Sequence, residues 1–216
     1  MQYGICFLSI LPVRSMPDEA SELVTQLLFG EHYKVLECRK NWSRIKTVFD
    51  KCEGWIMNSQ LMFIPEDEFN DIQTRKELKY VSDLISFIED HNKVLTPILI
   101  GSCIPEIASL PITFNGTFTN TEQPKEKLIK TALLYLNSPE LKGGKTPFGI
   151  DSAGFAQMVY RINGYHLLRT AESQSKQGSA LSFVEESEAG DLAFFDNANG
   201  DIDHVGIIME DNYVIH

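Results

Sequence analysis

The chain lacks any apolar run long enough to cross a bilayer as a helix, which takes about 20 consecutive apolar residues. It also lacks cysteines at metal-ligand spacing. Cys6, Cys38, Cys52 and Cys103 form no C-x-x-C, so they read as structural thiols, and no metal and no cofactor are expected. Basic residues are scarce: 19 Lys plus Arg against 30 Asp plus Glu give a formal net charge of −11, a field that repels polyanions. There is no basic patch to offset it, since the run Lys125 to Lys130 contains Glu126 and reads as a solvated helix face. Nucleic acid is therefore not an expected partner. No basic residue precedes the first apolar run and Pro12 interrupts it, so Met1 to Arg14 reads as a first strand rather than a signal peptide. On that reading the expected location is the cytoplasm. A phosphate loop is absent as well. Gly144-Lys145-Thr146 would need a glycine at position 139, which is proline.

What is present has a β-rich beginning. Ser9 to Arg14, Leu27 to Glu31, Tyr33 to Leu36, Trp42 to Lys46 and Gly54 to Ile56 alternate apolar and polar residues between turns, as in a small barrel. Trp42 and Trp55 suit the core of such a barrel, with a peptide-binding surface as the alternative. In residues 65–120, Val81 to Ile88 fits a strand or a short helix, while Leu95 to Ile100 and Ile112 to Phe118 are strand-like. Thr119 to Pro124 is a polar linker. Beyond it Leu128, Ala132 and Leu136 step by four, with Ile129 and Leu133 beside them, predicting an amphipathic helix over 125–137. A second helix is predicted to open near Ser152, bury Phe155, Val159 and Ile162, and stop at Asn163-Gly164. Gly190 to Phe195, His204 to Met209 and Tyr213 to His216 read as strands, the last two joined by the turn Glu210-Asp211-Asn212. Helices followed by an antiparallel sheet make an α+β architecture.

Four segments carry a specific resemblance: GGKTPFGIDSAGF, GDLAFFDN, DHVGIIM and YVIH. Their order and spacing resemble the NlpC-type cell-wall cysteine peptidases, papain-like enzymes that cut γ-D-glutamyl–L-diamino acid bonds. The N-terminal pattern resembles the bacterial SH3-like modules that precede such domains. The resemblance implies an SH3-like barrel over 1–64, a second, degraded SH3-like module or a linker region over 65–120 and a peptidase domain over 121–216. It also implies further strands after the position of His216. Carried over position by position, the nucleophile falls on Ser152, the base on His204 and the orienting residue on His216. Asp151 corresponds to the carboxylate that anchors the substrate's free amine, and it also suits a helix cap. His32, His91 and His166 read as surface or loop residues.

The chemistry needs those places. A helix N-terminus offers free N–H groups and partial positive charge, which favour a thiolate and an oxyanion. A histidine within reach takes the nucleophile's proton, and a third group fixes its tautomer. This chain departs from the pattern at three elements. Ser152 stands where the family has cysteine, and Ala153 where it usually has serine. Glu140 and Lys142 replace two aromatics that line the cleft, which puts Ala153, Glu140 and Lys142 beside Asp151 as substrate-binding positions. Three readings follow: a catalytically impaired protein that binds cell-wall-derived peptide, a working hydrolase in which Ser152 either replaces a natural cysteine or is itself the nucleophile, and a module that binds an unidentified protein partner through its SH3-like region. Nothing in the sequence fixes the oligomeric state.

Overall fold

The computed structural model describes residues 2–210 and 213–216, so the turn predicted at Glu210-Asp211-Asn212 lies partly outside the described residues. The chain divides into two compact units, one ending at Asn120 and the other spanning Thr121–His216.

The first unit begins with β1 (Gln2–Ile5), β2 (Ile10–Arg14), β3 (Leu23–Leu28), β4 (His32–Cys38), β5 (Trp42–Thr47), β6 (Glu53–Met57) and β7 (Phe63–Ile64). They form one antiparallel sheet in the order β3-β2-β6-β5-β4-β1-β7. The alternation read from the sequence has a direct cause. Successive side chains point to opposite faces, so Tyr33 and Val35 of β4 enter a core with Leu11, Val13, Leu27, Ile45 and Ile56. Trp55 is buried with the Arg39 guanidinium 4.3 Å from its ring centroid, whereas Trp42 is only half-buried. His32 corrects an expectation. It is a half-buried strand residue packed edge-on to Phe69 at 5.2 Å, not a surface loop residue.

Residues 65–120 contain a helix that the sequence reading missed, α1 (Glu66–Thr74). Pro65 precedes it, Glu66, Asp67 and Glu68 fill its first turn, and Phe69 and Ile72 bury against Ile5, Ile64 and Ile107. Acidic residues at that end suit the helix dipole. Then come β8 (Lys79–Val81), β9 (Ile85–Asp90), β10 (Leu95–Leu99), β11 (Cys103–Ile104), β12 (Ile112–Phe114) and β13 (Phe118–Thr119). These pair as two three-stranded sheets, β10-β9-β12 and β11-β8-β13. The ambiguous run Val81 to Ile88 is thus the end of one strand, a turn and the start of the next.

The second unit contains α2 (Glu126–Leu133), β14 (Lys145–Thr146), β15 (Gly149–Ile150), α3 (Ser152–Ile162), α4 (Ala171–Ser175), β16 (Leu192–Asp196), β17 (Ile202–Ile208) and β18 (Val214–Ile215). The last three strands form an antiparallel sheet in sequence order, which gives the expected α+β architecture. Helix α2 is shorter than its apolar spacing predicts. Leu128 and Ala132 are buried, but Leu133 and Leu136 stay exposed at 47% and 60%, and Tyr135 turns inward instead. Helix α3 is buried along nearly its whole length. Its Ala153 and Ala156 share a core with Val205 of β17 and with Leu167 and Ala171. Burial of a side chain such as Val205 contributes roughly 1.5–3 kcal/mol, so this contact fixes where the first turn of α3 meets the sheet.

Candidate active site

Ser152 is the first residue of α3, and Asp151 caps it. The cap forms because one Asp151 carboxylate oxygen accepts the Gly154 N–H at 2.6 Å. The other accepts the Gly143 N–H at 2.7 Å, tying the glycine turn to the helix end. Arg169 then forks onto both oxygens, at 2.9 and 2.8 Å, and donates to the Gly144 carbonyl at 3.3 Å. Asp151 thus faces four donors. Of its two expected roles, the helix cap is the one this geometry displays. The helix end and the turn are in close contact, since a Cβ on Gly154 would come 2.3 Å from the Gly144 carbonyl oxygen.

The two histidines named from the sequence meet. His204 Nε2 and His216 Nδ1 are 2.9 Å apart, and their rings lie edge to face. Register explains the contact. Ile207 pairs with Ile215 and Ile208 with Val214, which sets His216 beside Gly206 and diagonal to His204 on one face. Gly206 makes room, because a Cβ there would lie 3.2 Å from His216 Cβ and 2.4 Å from Val214 Cγ1. Phe195, opposite His204 on β16, packs its ring 5.8 Å from His204 and 6.4 Å from His216. Between Phe195 and Asp196 the register slips, leaving Asp203 as the extra residue on β17. Bulges of this kind re-aim neighbouring side chains. Asp203 accepts from Asn197 at 3.1 Å, so the partner of His204 is His216 rather than the adjacent carboxylate.

Ala153, next to Ser152, packs in the same core cluster as Val205, next to His204. That contact brings the start of α3 against the histidine-bearing strand. Glu140 and Lys142 are exposed on a strap held to β15 by a Glu140–Ile150 bridge and a Leu141 N–H bond to the Ile150 carbonyl at 3.1 Å. A groove of about 1160 Å³ runs between α2 and β18, walled by Ile129, Leu133, Leu136 and Tyr213, and reaches His216. Ser152, Asp151 and His204 are not among its walls. No group of three potential metal ligands occurs among the described residues.

Three contributors escaped the sequence reading: Arg169, Gln174 and Gly206. Gln174, buried in α4, donates to the Ala153 carbonyl at 2.9 Å and the Leu168 carbonyl at 2.8 Å. A Thr170-capped helix start just after Arg169 was the local signal available for that segment.

Comparison with known proteins agrees with this architecture. Residues 141–216 match the NlpC/P60 family, and residues 13–61 match the bacterial dipeptidyl-peptidase SH3 domain. A gamma-D-glutamyl-L-lysine dipeptidyl-peptidase from Bacillus subtilis (strain 168) is 36% identical over 93 residues, covering 42% of this chain but only 31% of that relative. One of the same name from Bacillus cereus (strain ATCC 10987 / NRS 248) is 25% identical over 226 aligned positions, covering 91% of this chain and 68% of the relative. A crystal structure of an NlpC/P60 family protein from Bacillus cereus ATCC 10987 superimposes with a TM-score of 0.85 at 20% identity, covering 99% of this chain and 90% of that one. The chain therefore carries an NlpC/P60 family domain, preceded in sequence by a bacterial SH3 domain.

Proposed function

We propose that the unit Thr121–His216 binds γ-D-glutamyl–L-diamino acid peptides of the bacterial cell wall, with Ser152 at the reacting position and hydrolysis impaired by its hydroxyl. The observation that carries this reading is the His204–His216 pair, on strands whose Val205 packs against Ala153, the neighbour of Ser152. The names of the relatives supply the substrate class.

On this reading the tautomers of the pair are constrained. If His204 uses Nδ1 to accept a proton from position 152, its Nε2 carries the other hydrogen and donates to His216 Nδ1. The nucleophile would attack the γ-carbonyl carbon while His204 Nδ1 takes its proton. His204 would then return that proton to the leaving amine as the amide bond breaks. A thiol ionises readily under such influence; a serine hydroxyl does not and must lose its proton during the attack. Ala153, Glu140 and Lys142 alter the surroundings as well.

Incubation of the purified chain with L-Ala-γ-D-Glu–diamino acid peptide, followed by mass spectrometry, tests the reading. Bound but uncleaved peptide is expected, and Ser152→Cys alone should restore little turnover because the other departures remain. Robust cleavage by the unaltered chain would overturn the impairment. Strong, alkylation-sensitive cleavage by Ser152→Cys would favour a hydrolase whose cysteine has been replaced.

A further inference from the structure

Position 152 is held from both sides by one short segment. Arg169 grips Asp151, the residue before it, through two bonds of 2.9 and 2.8 Å. Gln174 grips Ala153, the residue after it, through the 2.9 Å bond to its carbonyl. Both clamps are interior: the Arg169 side chain is 6% exposed and Gln174 is fully buried. The segment is ordered in turn, since Thr170 accepts the Ser173 N–H at the start of α4 and Gln177 accepts the Leu168 N–H at 2.8 Å.

The clamp has an electrostatic side. Asp151 places a carboxylate one residue from the reacting side chain, where an uncompensated anion opposes negative charge at 152. Helix N-termini favour that charge, so an uncompensated Asp151, although it caps the helix, would offset the positive field that the helix end supplies at 152. A forked guanidinium matches a carboxylate in geometry and charge. We propose that Arg169 is a positioning residue for the reacting centre: it cancels the charge of Asp151 and, together with Gln174, fixes the first turn of α3 under the side chain at 152. The proposal rests on the reading of 152 as the reacting position. It gives the local field at 152 to the ion pair that Arg169 makes with Asp151. His204 on β17, His216 just after β18, Lys145 on β14, and Glu140 and Lys142 on the adjoining strap also bear charge or titrate in this unit, and all stay unchanged in the test.

A thiol placed by Ser152→Cys reports the field. Its alkylation by iodoacetamide can be followed from pH 5 to 9 by peptide mass, with exposed Cys38 as a reference in the same molecule. In that background Arg169→Met should slow alkylation below pH 7, on the order of tenfold for one unit charge several ångströms away. Asp151→Asn, which breaks the same ion pair, should speed it by a similar factor, and the double variant should lie near the parent. Arg169→Lys should recover part of the rate lost in Arg169→Met. A merely structural clamp would move both single variants in one direction. That result, or no movement in folded variants, would overturn the proposal. Should Arg169→Met lose its native circular dichroism, Arg169→Lys and Asp151→Asn carry the comparison. If the thiol placed at position 152 reacts no faster than Cys38 at pH 6 in the parent, the reading of 152 as an activated position fails. Opposite shifts in the two single variants would still uphold the charge cancellation.

Discussion

Gly206 sets how closely His216 can approach His204. It has no side chain to fill the space beside His216, and a methyl group there would collide with Val214 and crowd the His216 Cβ. Gly206→Ala is expected to break the imidazole pair and to cost about 1–3 kcal/mol by overpacking, measurable by urea unfolding. Ring-nitrogen NMR should show that the hydrogen bond between the two imidazoles is lost in the variant. Tyr135 makes the opposite case. Its side chain is buried at 4% exposure, stacks edge-on to Phe155, and its hydroxyl finds no hydrogen-bond partner among the described residues. Burial pushes its pKa well up. A hydroxyl desolvated without a partner costs free energy, so Tyr135→Phe should raise stability by about 1 kcal/mol in the same unfolding assay. An unchanged or lowered stability would show that the hydroxyl is satisfied in solution.

Between elements, α2 is joined to the start of β16 by charge. Lys125 bonds Asp191 at 2.8 Å and Glu188 at 3.1 Å, and Asp191 accepts the Glu188 N–H at 2.8 Å. Burial works against the charged form of Asp191, but Lys125 and the Glu188 N–H outweigh it and hold its carboxyl below the usual range. A carboxyl with a depressed folded value contributes stability above its unfolded value near 4, and loses it as pH falls through the lower folded value. Thermal unfolding temperature should therefore decline below about pH 4, and Asp191→Asn should flatten that decline. An identical acid limb in the variant would show that the link is uncoupled from folding. The elements also differ in how readable they were. Helix α3 has a capping residue, an apolar series and a terminal Asn-Gly, all local signals. Helix α1 carries only two buried apolar residues, Phe69 and Ile72, in nine positions, and its stability comes from Ile5, Ile64 and Ile107, remote in sequence.

For the whole molecule, two units each possess their own buried clusters: one around Tyr33 and Ile45 with further clusters at Phe69 and Phe29, the other around Ala156 and Val205. The polar segment before Gln123 carries exposed Thr121 and Glu122, while Gln123 itself is tied to Asn163 and Tyr165. Limited proteolysis should cut ahead of Gln123 and release two fragments, each melting cooperatively. Loss of cooperative melting in either fragment would show that its core depends on the other. The peptide-binding proposal belongs to the second unit alone, so a fragment that keeps its fold should keep the ligand.

The sequence by itself determined the order of the site: a carboxylate cap, a serine opening a helix, and two histidines an even number of residues apart on neighbouring strands. The cap and the helix opening follow from turn chemistry and local periodicity, which act between residues close along the chain, whereas the parts given to Ser152, His204 and His216 come from the four segments that resemble the NlpC-type family. It could not reveal Arg169 and Gln174 as clamps, Gly206 as the gap that admits His216, or Tyr135 rather than Leu136 as the inward residue of its turn. Each of those depends on which distant backbone lies opposite, and only the packed tertiary structure brings a guanidinium 18 positions further along the chain onto the aspartate it neutralises.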